Sequence, residues 1–256
     1  MVKILLNHMG IGDAIMLNGM VRHFAEDDKV VVVAKTCHEI LMRFMYRDLG
    51  DQIDFIFVDT TNPQHVWQKV QKVMDYHSKN EYGSRIIPLS TYGMDDNTWA
   101  QWTQTEGRSN WSEVVYNQAG VPHEYMRTKF KLIREPEREL KPPEEPYMFV
   151  HDDPERGRVI NVDTEFNVFK PHSKVTNLRE EYFESNVPNI FDYISIIENA
   201  KEVHCMNSSY NWFIELMKLG KKETNFFHTT VAHKYYKPSI VKQVFSDDVW
   251  TFVDEE

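Results

Sequence analysis

Residues 1–25 read MVKILLNHMGIGDAIMLNGMVRHFA, and the fold class follows from them. Residues 3–7 form a short apolar run. Gly10 and Gly12 come next, and from Ala14 onward apolar side chains return at Ile15, Met16, Met20, Val21 and Phe24. That spacing predicts a helix over 14–25 with one apolar face. Strand, glycine turn and helix in this order open a parallel α/β unit. The same start lacks an extended apolar region and a small-residue cleavage site, so it reads as a strand and not as a signal peptide.

The alternation continues outward. Residues 30–34 are VVVVA, a β-branched run suited to a strand covered on both faces. Residues 38–46 read as helix, 53–58 as strand, 65–76 as helix and 85–89 as a fourth strand. Residues 91–128 are polar and aromatic, with Tyr92, Trp99, Trp102, Trp111, Tyr116 and Tyr125. A helix is expected there over 111–119, ended by Gly120 and Pro122. Residues 134–146, REPERELKPPEEP, hold four prolines and many charges and read as a hinge. The α/β pattern then restarts. Strands are expected at 147–151, 158–162, 202–206 and 225–228, and helices at 190–199 and 208–219, the latter closed by Gly220. The tail 241–253 reads as helix or strand. The expected architecture is α/β: two Rossmann-like domains, 1–135 and 136–256, facing an interdomain cleft.

The chain has 256 residues, with 29 Lys and Arg against 39 Asp and Glu, a net charge of −10. Hydrophobic residues make up 41% and aromatics 13%, enough for one or two packed cores, which argues against disorder. The acidic balance disfavours a nonspecific nucleic-acid coat, which needs basic surface. No apolar run approaches the roughly 20 residues of a membrane helix. Two cysteines, Cys37 and Cys205, make neither a disulfide framework nor a zinc knuckle, which suits a reducing, cytoplasmic setting.

Three stretches carry candidate chemistry. In the first, Gly10-Ile11-Gly12-Asp13-Ala14-Ile15 joins the first strand to the first helix. Gly10 and Gly12 suit close approach of a ligand to the backbone, and Asp13 suits a helix start. The same residues also suit a plain turn and cap. A dinucleotide fingerprint is absent, since position 15 is Ile and no acidic residue ends the second strand. In the second, Asn207, Ser208 and Ser209 open a helix after a strand and suit a diphosphate, or equally a simple cap ahead of core aromatics. In the third, Arg156 and Arg158 sit in HDDPERGR, residues 151–158, as either a diphosphate clamp or a solvated charged turn. Lys170 is a further cation for the same ligand, and Glu215 either reaches a donor ribose or faces solvent. The pairs Asp95-Asp96, Asp152-Asp153, Asp163/Glu165 and Asp247-Asp248 are each ordinary on an acidic surface. The scattered histidines lack zinc spacing, so no metal site is expected.

Taken together, the first two stretches resemble known families. Gly10-Ile11-Gly12-Asp13-Ala14-Ile15 resembles the N-terminal loop of the ADP-heptose:lipopolysaccharide heptosyltransferases. Asn207-Ser208-Ser209-Tyr210-Asn211-Trp212 resembles the Ser-Asn-Ser-Ser/Thr-Phe-Ser-Trp-Trp motif of α-1,2-fucosyltransferases. It also takes the place of the heptosyltransferase Asp-Ser/Thr-Gly donor loop, with Asn-Ser-Ser substituted. The resemblance implies a GT-B glycosyltransferase with Asp13 as catalytic base. It further implies a nucleotide sugar bound by the C-terminal domain, inverting hexosyl or pentosyl transfer to an acceptor hydroxyl, and no metal or other cofactor. The acceptor class stays open among glycan, lipid, protein and modified nucleic-acid base. Two other readings stand beside it: another nucleotide-using two-domain α/β enzyme, and a noncatalytic small-ligand binding protein on the same scaffold.

Overall fold

The computed structural model describes residues 1–6, 10–58, 68, 71–72, 75–76, 83–89, 111–171, 189–231 and 238–254. Among the described residues, those up to Ile133 and those from Arg134 on form two compact units, each with its own parallel sheet. The helix expected over 65–76 lies largely outside the described residues.

In the first unit, β1 (Val2–Leu6) pairs on one side with β2 (Lys29–Lys35), which pairs with β3 (Ile53–Val58), and on the other side with β4 (Ser84–Pro88). Strand order is β3-β2-β1-β4. The valine run 30–33 is buried on both faces, as a central parallel strand requires. Val2, Ile4, Leu6, Val31, Val33 and Val58 form the core on one face. Leu5, Val30 and Val32 alternate to the other.

The helix expected over 14–25 is two helices, α1 (Ile11–Met16) and α2 (Asn18–Ala25), with a break at Leu17. A hydroxyl from far along the chain makes the break. Tyr116 lies on α4 (Trp111–Ala119), with α3 (Glu39–Met45) preceding it. Its OH donates to Met16 O at 3.0 Å and accepts from Met20 N–H at 3.1 Å. A continuous helix would pair Met20 N–H with Met16 O directly, so the inserted hydroxyl splits that bond and bends the chain.

Further along, the Arg22 guanidinium holds α2 in place. It bonds Asp48 through two nitrogens at 3.0 and 2.9 Å, Met45 O at 3.2 Å, and Lys131 O and Asn18 Oδ1 through Nε. Arg22 and Lys131 hold the Asp48 carboxyl down at about 2 against the opposing effect of burial.

In the second unit the order is β6-β5-β7-β8-β9, all parallel: β5 (Tyr147–His151), β6 (Asn167–Phe169), β7 (Glu202–Cys205), β8 (Asn225–His228) and β9 (Thr251–Val253). The strand expected at 158–162 is not one. Arg158 is taken into a hairpin with Asp153, and Ile160 N–H donates to the Asp152 carboxylate at 3.3 Å. With its donor spent there the segment joins no ladder, and residues 167–169 fill the sheet edge instead. Helices α6 (Ile194–Asn199), α7 (Ser209–Met217) and α8 (Pro238–Val244) complete the described elements after α5 (Tyr125–Thr128) of the first unit. The tail is therefore helix and then strand.

The proline-rich stretch 134–146 begins where the second unit begins and is tied to that unit. Arg134 reaches both oxygens of Glu139 at 2.8 Å and both of Glu198 at 2.9 Å. Leu140 N–H donates to Asp192 O at 2.7 Å. Arg134 and Glu139 thus pair with each other, and Arg134 also with Glu198 of the helix beside them. Among the described residues no helix is long and apolar enough to cross a membrane.

Gly19 gives a direct test of the helix packing. A Cβ there would sit 1.9 Å from Tyr125 O and 2.8 Å from its carbonyl carbon, both backbone atoms that cannot turn aside. Alanine gains about 1 kcal/mol of helix propensity over glycine. Overpacking costs about 1–3 kcal/mol, and backbone collision belongs at the upper end. Gly19→Ala is expected to lower stability by about 2 kcal/mol net, seen as a lower urea midpoint at unchanged slope.

Candidate functional site

In an open parallel sheet a ligand crevice forms beyond the carboxyl ends of the strands where the order reverses. In the first sheet that point lies at β1, with β2 on one side and β4 on the other. In the second it lies between β5 and β7. The expected site residues follow these strands.

Beyond β1, Gly10 is the residue that caps α1, with extended backbone at φ −75° and ψ 175°. Asp13, expected at the cap, stands three residues further in. Its carboxylate reaches back, and Gly10 N–H donates to Oδ2 at 2.9 Å. The other oxygen, Oδ1, accepts the indole N–H of Trp111 at 2.9 Å. Burial pushes the Asp13 carboxyl above the usual carboxylate range, and the Trp111 bond, the Gly10 bond and the nearby Lys35 ammonium oppose it without cancelling it. An acid whose ionised form is held by two donors and yet titrates high suits proton abstraction. Neither the φ of Gly10 nor crowding requires glycine there. Among the described residues a Cβ would meet only Asp13 Oδ2, at an ordinary 3.5 Å. Gly12 lies in the first turn of α1.

Beyond β5 and β7, His151 and Ser208 meet across adjacent strand ends, with Ser208 Oγ 3.0 Å from His151 Nδ1. Burial pushes the His151 imidazole down to about 4, so near neutral pH it is uncharged. Ser208 is the N-cap of α7, and its Oγ accepts from Tyr210 N–H at 3.2 Å. Its hydroxyl is therefore occupied internally. Asn207 and Ser209 are partly exposed and make no side-chain hydrogen bond among the described residues. They and the first-turn N–H groups of α7 other than that of Tyr210 are what this strand end offers an anion.

The cations divide. Arg156 is exposed and pairs with Asp153 at 3.3 Å on the hairpin turn that Gly157 closes at φ 68°. Lys170 follows β6 and pairs with buried Asp152 at 2.7 Å. Arg158, half-buried, has no ion pair among the described residues. Glu215 does not face solvent. Its Oε1 and Oε2 accept from Ser246 N–H at 3.1 and 3.2 Å, and Oε2 also accepts the Trp250 indole N–H at 3.1 Å. The carboxylate fastens the tail to α7. Asp95 and Asp96 lie outside the described residues. Among the described residues no group of three or more His, Cys, Asp or Glu side chains converges on one point.

Two partners escaped the sequence reading. Trp111 was legible as the first residue of a helix, but nothing in linear spacing ties it to position 13. His151 had a signal: it is a polar residue closing an apolar strand, YMFVH.

No protein-family model and no curated protein matches the sequence. Solved structures match the fold. A glycosyl transferase of family 9 from Veillonella parvula is 10% identical over 99% of this chain and 86% of its own, with a TM-score of 0.54. The E. coli heptosyltransferase WaaC with ADP is 8% identical over 99% of this chain and 94% of its own, with a TM-score of 0.52. The iron-containing dodecameric glycosyltransferase TibC from enterotoxigenic E. coli is 9% identical over 89% of this chain and 59% of its own, with a TM-score of 0.50. The shared property is the architecture of two parallel α/β units.

Glu215→Gln separates a structural carboxylate from a ribose ligand. The amide offers one acceptor and turns an NH₂ toward a backbone or indole donor. Loss of charge-assisted bonds is expected to cost about 1.5–3 kcal/mol, read as a lower denaturation midpoint. Nucleotide affinity of the folded variant is expected to be unchanged. A weakened Kd at intact stability would return Glu215 to the ligand.

Proposed function

We propose that this chain is a GT-B-type glycosyltransferase that moves a sugar from a nucleotide sugar to an acceptor hydroxyl by inversion and without a metal. The observation that carries the reading is the carboxylate of Asp13, placed just past the central strand of its sheet, held by two donors and titrating above the usual range. The fold likeness to glycosyltransferases supports it as analogy.

The chemistry follows from the residues. Asp13 takes the proton of the acceptor hydroxyl as that oxygen bonds to the anomeric carbon. The bond from that carbon to the donor diphosphate breaks, and its electron pair leaves on the diphosphate. That developing charge needs fixed donors. The first-turn N–H groups of α7 other than that of Tyr210, the Ser209 hydroxyl, the Asn207 amide and the Arg158 guanidinium are assigned to it. Ser208 acts through the turn, by capping α7. Lys170 and Arg156 contribute charge already shared with Asp152 and Asp153. Gly10 and Gly12 leave the backbone beside the base open to the acceptor. The residues leave hexosyl and pentosyl transfer equally open.

Two measurements test this. A nucleoside diphosphate at about 100 times its Kd stabilises the fold by roughly 2.7 kcal/mol. One base is expected to raise Tm equally with and without EDTA, and ADP, present in the heptosyltransferase structure, is the first to try. A shift that requires Mg²⁺ would point to a different nucleotide-using enzyme, and no shift with any nucleotide to a binding protein for another ligand. In the second, Asp13→Asn is expected to lower kcat by about 10²–10⁴-fold while keeping the nucleotide-induced Tm rise. For the unaltered protein, kcat/KM should rise with pH through the raised Asp13 value, because only the ionised form accepts a proton. Its acid limb then lies above the ordinary aspartate range. Full transfer by the Asn variant would remove Asp13 from the reaction.

A further inference from the structure

Both oxygens of Asp13 are held, and the two donors differ in origin. Gly10 N–H belongs to the same helical turn as the carboxylate it bonds. The indole N–H of Trp111 comes from 98 positions further along the chain. Indole nitrogen only donates, so this contact favours the ionised carboxylate and disfavours the protonated one.

The helix that presents the indole is fixed to the pair of helices that presents the carboxylate. Trp111 is the first residue of α4, and Tyr116, five residues on and fully buried, inserts its hydroxyl between Met16 O and Met20 N–H. Val115 and Ala119 bury the same helix, and buried Ser112 bonds His123 at 2.8 Å. The Tyr116 hydroxyl therefore sets the break between α1 and α2, and the same helix sets the distance from Trp111 to Asp13.

From this geometry we infer that Trp111 is a positioning residue for the base: its indole N–H fixes the rotamer of Asp13 and, as a group that can only donate, favours the carboxylate over the acid. The inference rests on the reading of Asp13 as proton acceptor, and goes beyond it by naming the residue that sets the aim and basicity of that acceptor. Without the indole, Oδ1 loses its partner and the carboxylate pivots about its one bond to Gly10. Burial then acts with less opposition, since the Trp111 bond is the largest of the effects that offset it.

The test uses two replacements in the full chain. Trp111→Phe keeps an aromatic ring and removes the donor. Benzothienylalanine at position 111 keeps the bicyclic shape with sulfur in place of N–H, and decides the matter where the Phe variant does not fold. The first readout is the Asp13 carboxyl ¹³C shift followed through pH in the ligand-free protein. Its midpoint is expected to rise by about one pH unit in both variants, the size of one charge-assisted hydrogen bond. The second readout is sugar transfer. The acid limb of kcat/KM is expected to move up by the same amount, and kcat on the plateau to fall about 10- to 100-fold from misaim. Donor KM should stay within about twofold.

An unchanged Asp13 midpoint in the isostere overturns the inference. So does a rise in KM with kcat and the pH profile intact, which would make Trp111 a packing or binding residue only. The two readings fail separately. Full transfer by Asp13→Asn removes the base, whereas the carboxyl titration judges the Asp13–Trp111 bond without any substrate.

Discussion

In each unit every described strand runs parallel to its neighbours, and the rest of the structure depends on that constraint. Parallel strands cannot be joined by tight hairpins, so each connection must cross back, and the loops that leave the carboxyl ends collect on one edge. A crevice opens where successive crossovers go to opposite sides. β1 lies between β2 and β4, and β5 and β7 lie side by side with β6 beyond one and β8 beyond the other. Asp13 follows β1, His151 ends β5, and Ser208 follows β7. No hairpin topology would bring the ends of β5 and β7, 54 residues apart, into register as His151 and Cys205 are.

Polar residues at such edges have two possible employments, and the second unit shows how they divide. Ser208 carries a cap and a histidine contact, Lys170 an ion pair, and Glu215 the two N–H groups that hold the tail. Each has a residue type suited to a ligand, yet each is spent on the fold. Asn207, Ser209 and Arg158 are the complement, left without such internal partners among the described residues. A buried polar group must be paired somewhere, so internal pairing is the default for side chains that fold inward. What remains unpaired at a strand end is the better guide to ligand contacts than residue type alone.

The strands were the most legible part, because burial on both faces demands unbroken apolar runs such as residues 30–33 and YMFVH. The α4 helix was legible too, from its spacing and its Gly-x-Pro stop. Residues 158–162, RVINV, misled because their β-branched residues suit a strand, while the competing acceptor, the Asp152 carboxylate, lies outside that stretch. The break at Leu17 could not be read, since its cause sits a hundred residues away at Tyr116. Residues 134–146 show their charges in the sequence and not their partners, and the pairing of Arg134 with Glu198 could not be read from it. In the candidate site, the place of Asp13 in the first turn of the helix after β1 was legible. Trp111 was not, because side-chain pairing across the chain leaves no periodic trace.

The surroundings of Asp13 show what the fold adds to a carboxylate. A fully solvated aspartate is ionised near neutral pH but is a weak base, since its ordinary pKa is near 4. Complete withdrawal from water strengthens the base and also protonates it, leaving little of the reactive form. A useful acceptor lies between these limits, with its pKa raised and its ionised form still dominant at the working pH. Here burial raises it, while the indole N–H, the Gly10 N–H and Lys35 restrain the rise. Both hydrogen-bond donors belong to helices, one at the cap of α1 and one on the helix whose Tyr116 hydroxyl is inserted between α1 and α2. The break in the first helix is thus the joint through which α4, and with it Trp111, is brought to bear on the Asp13 carboxylate.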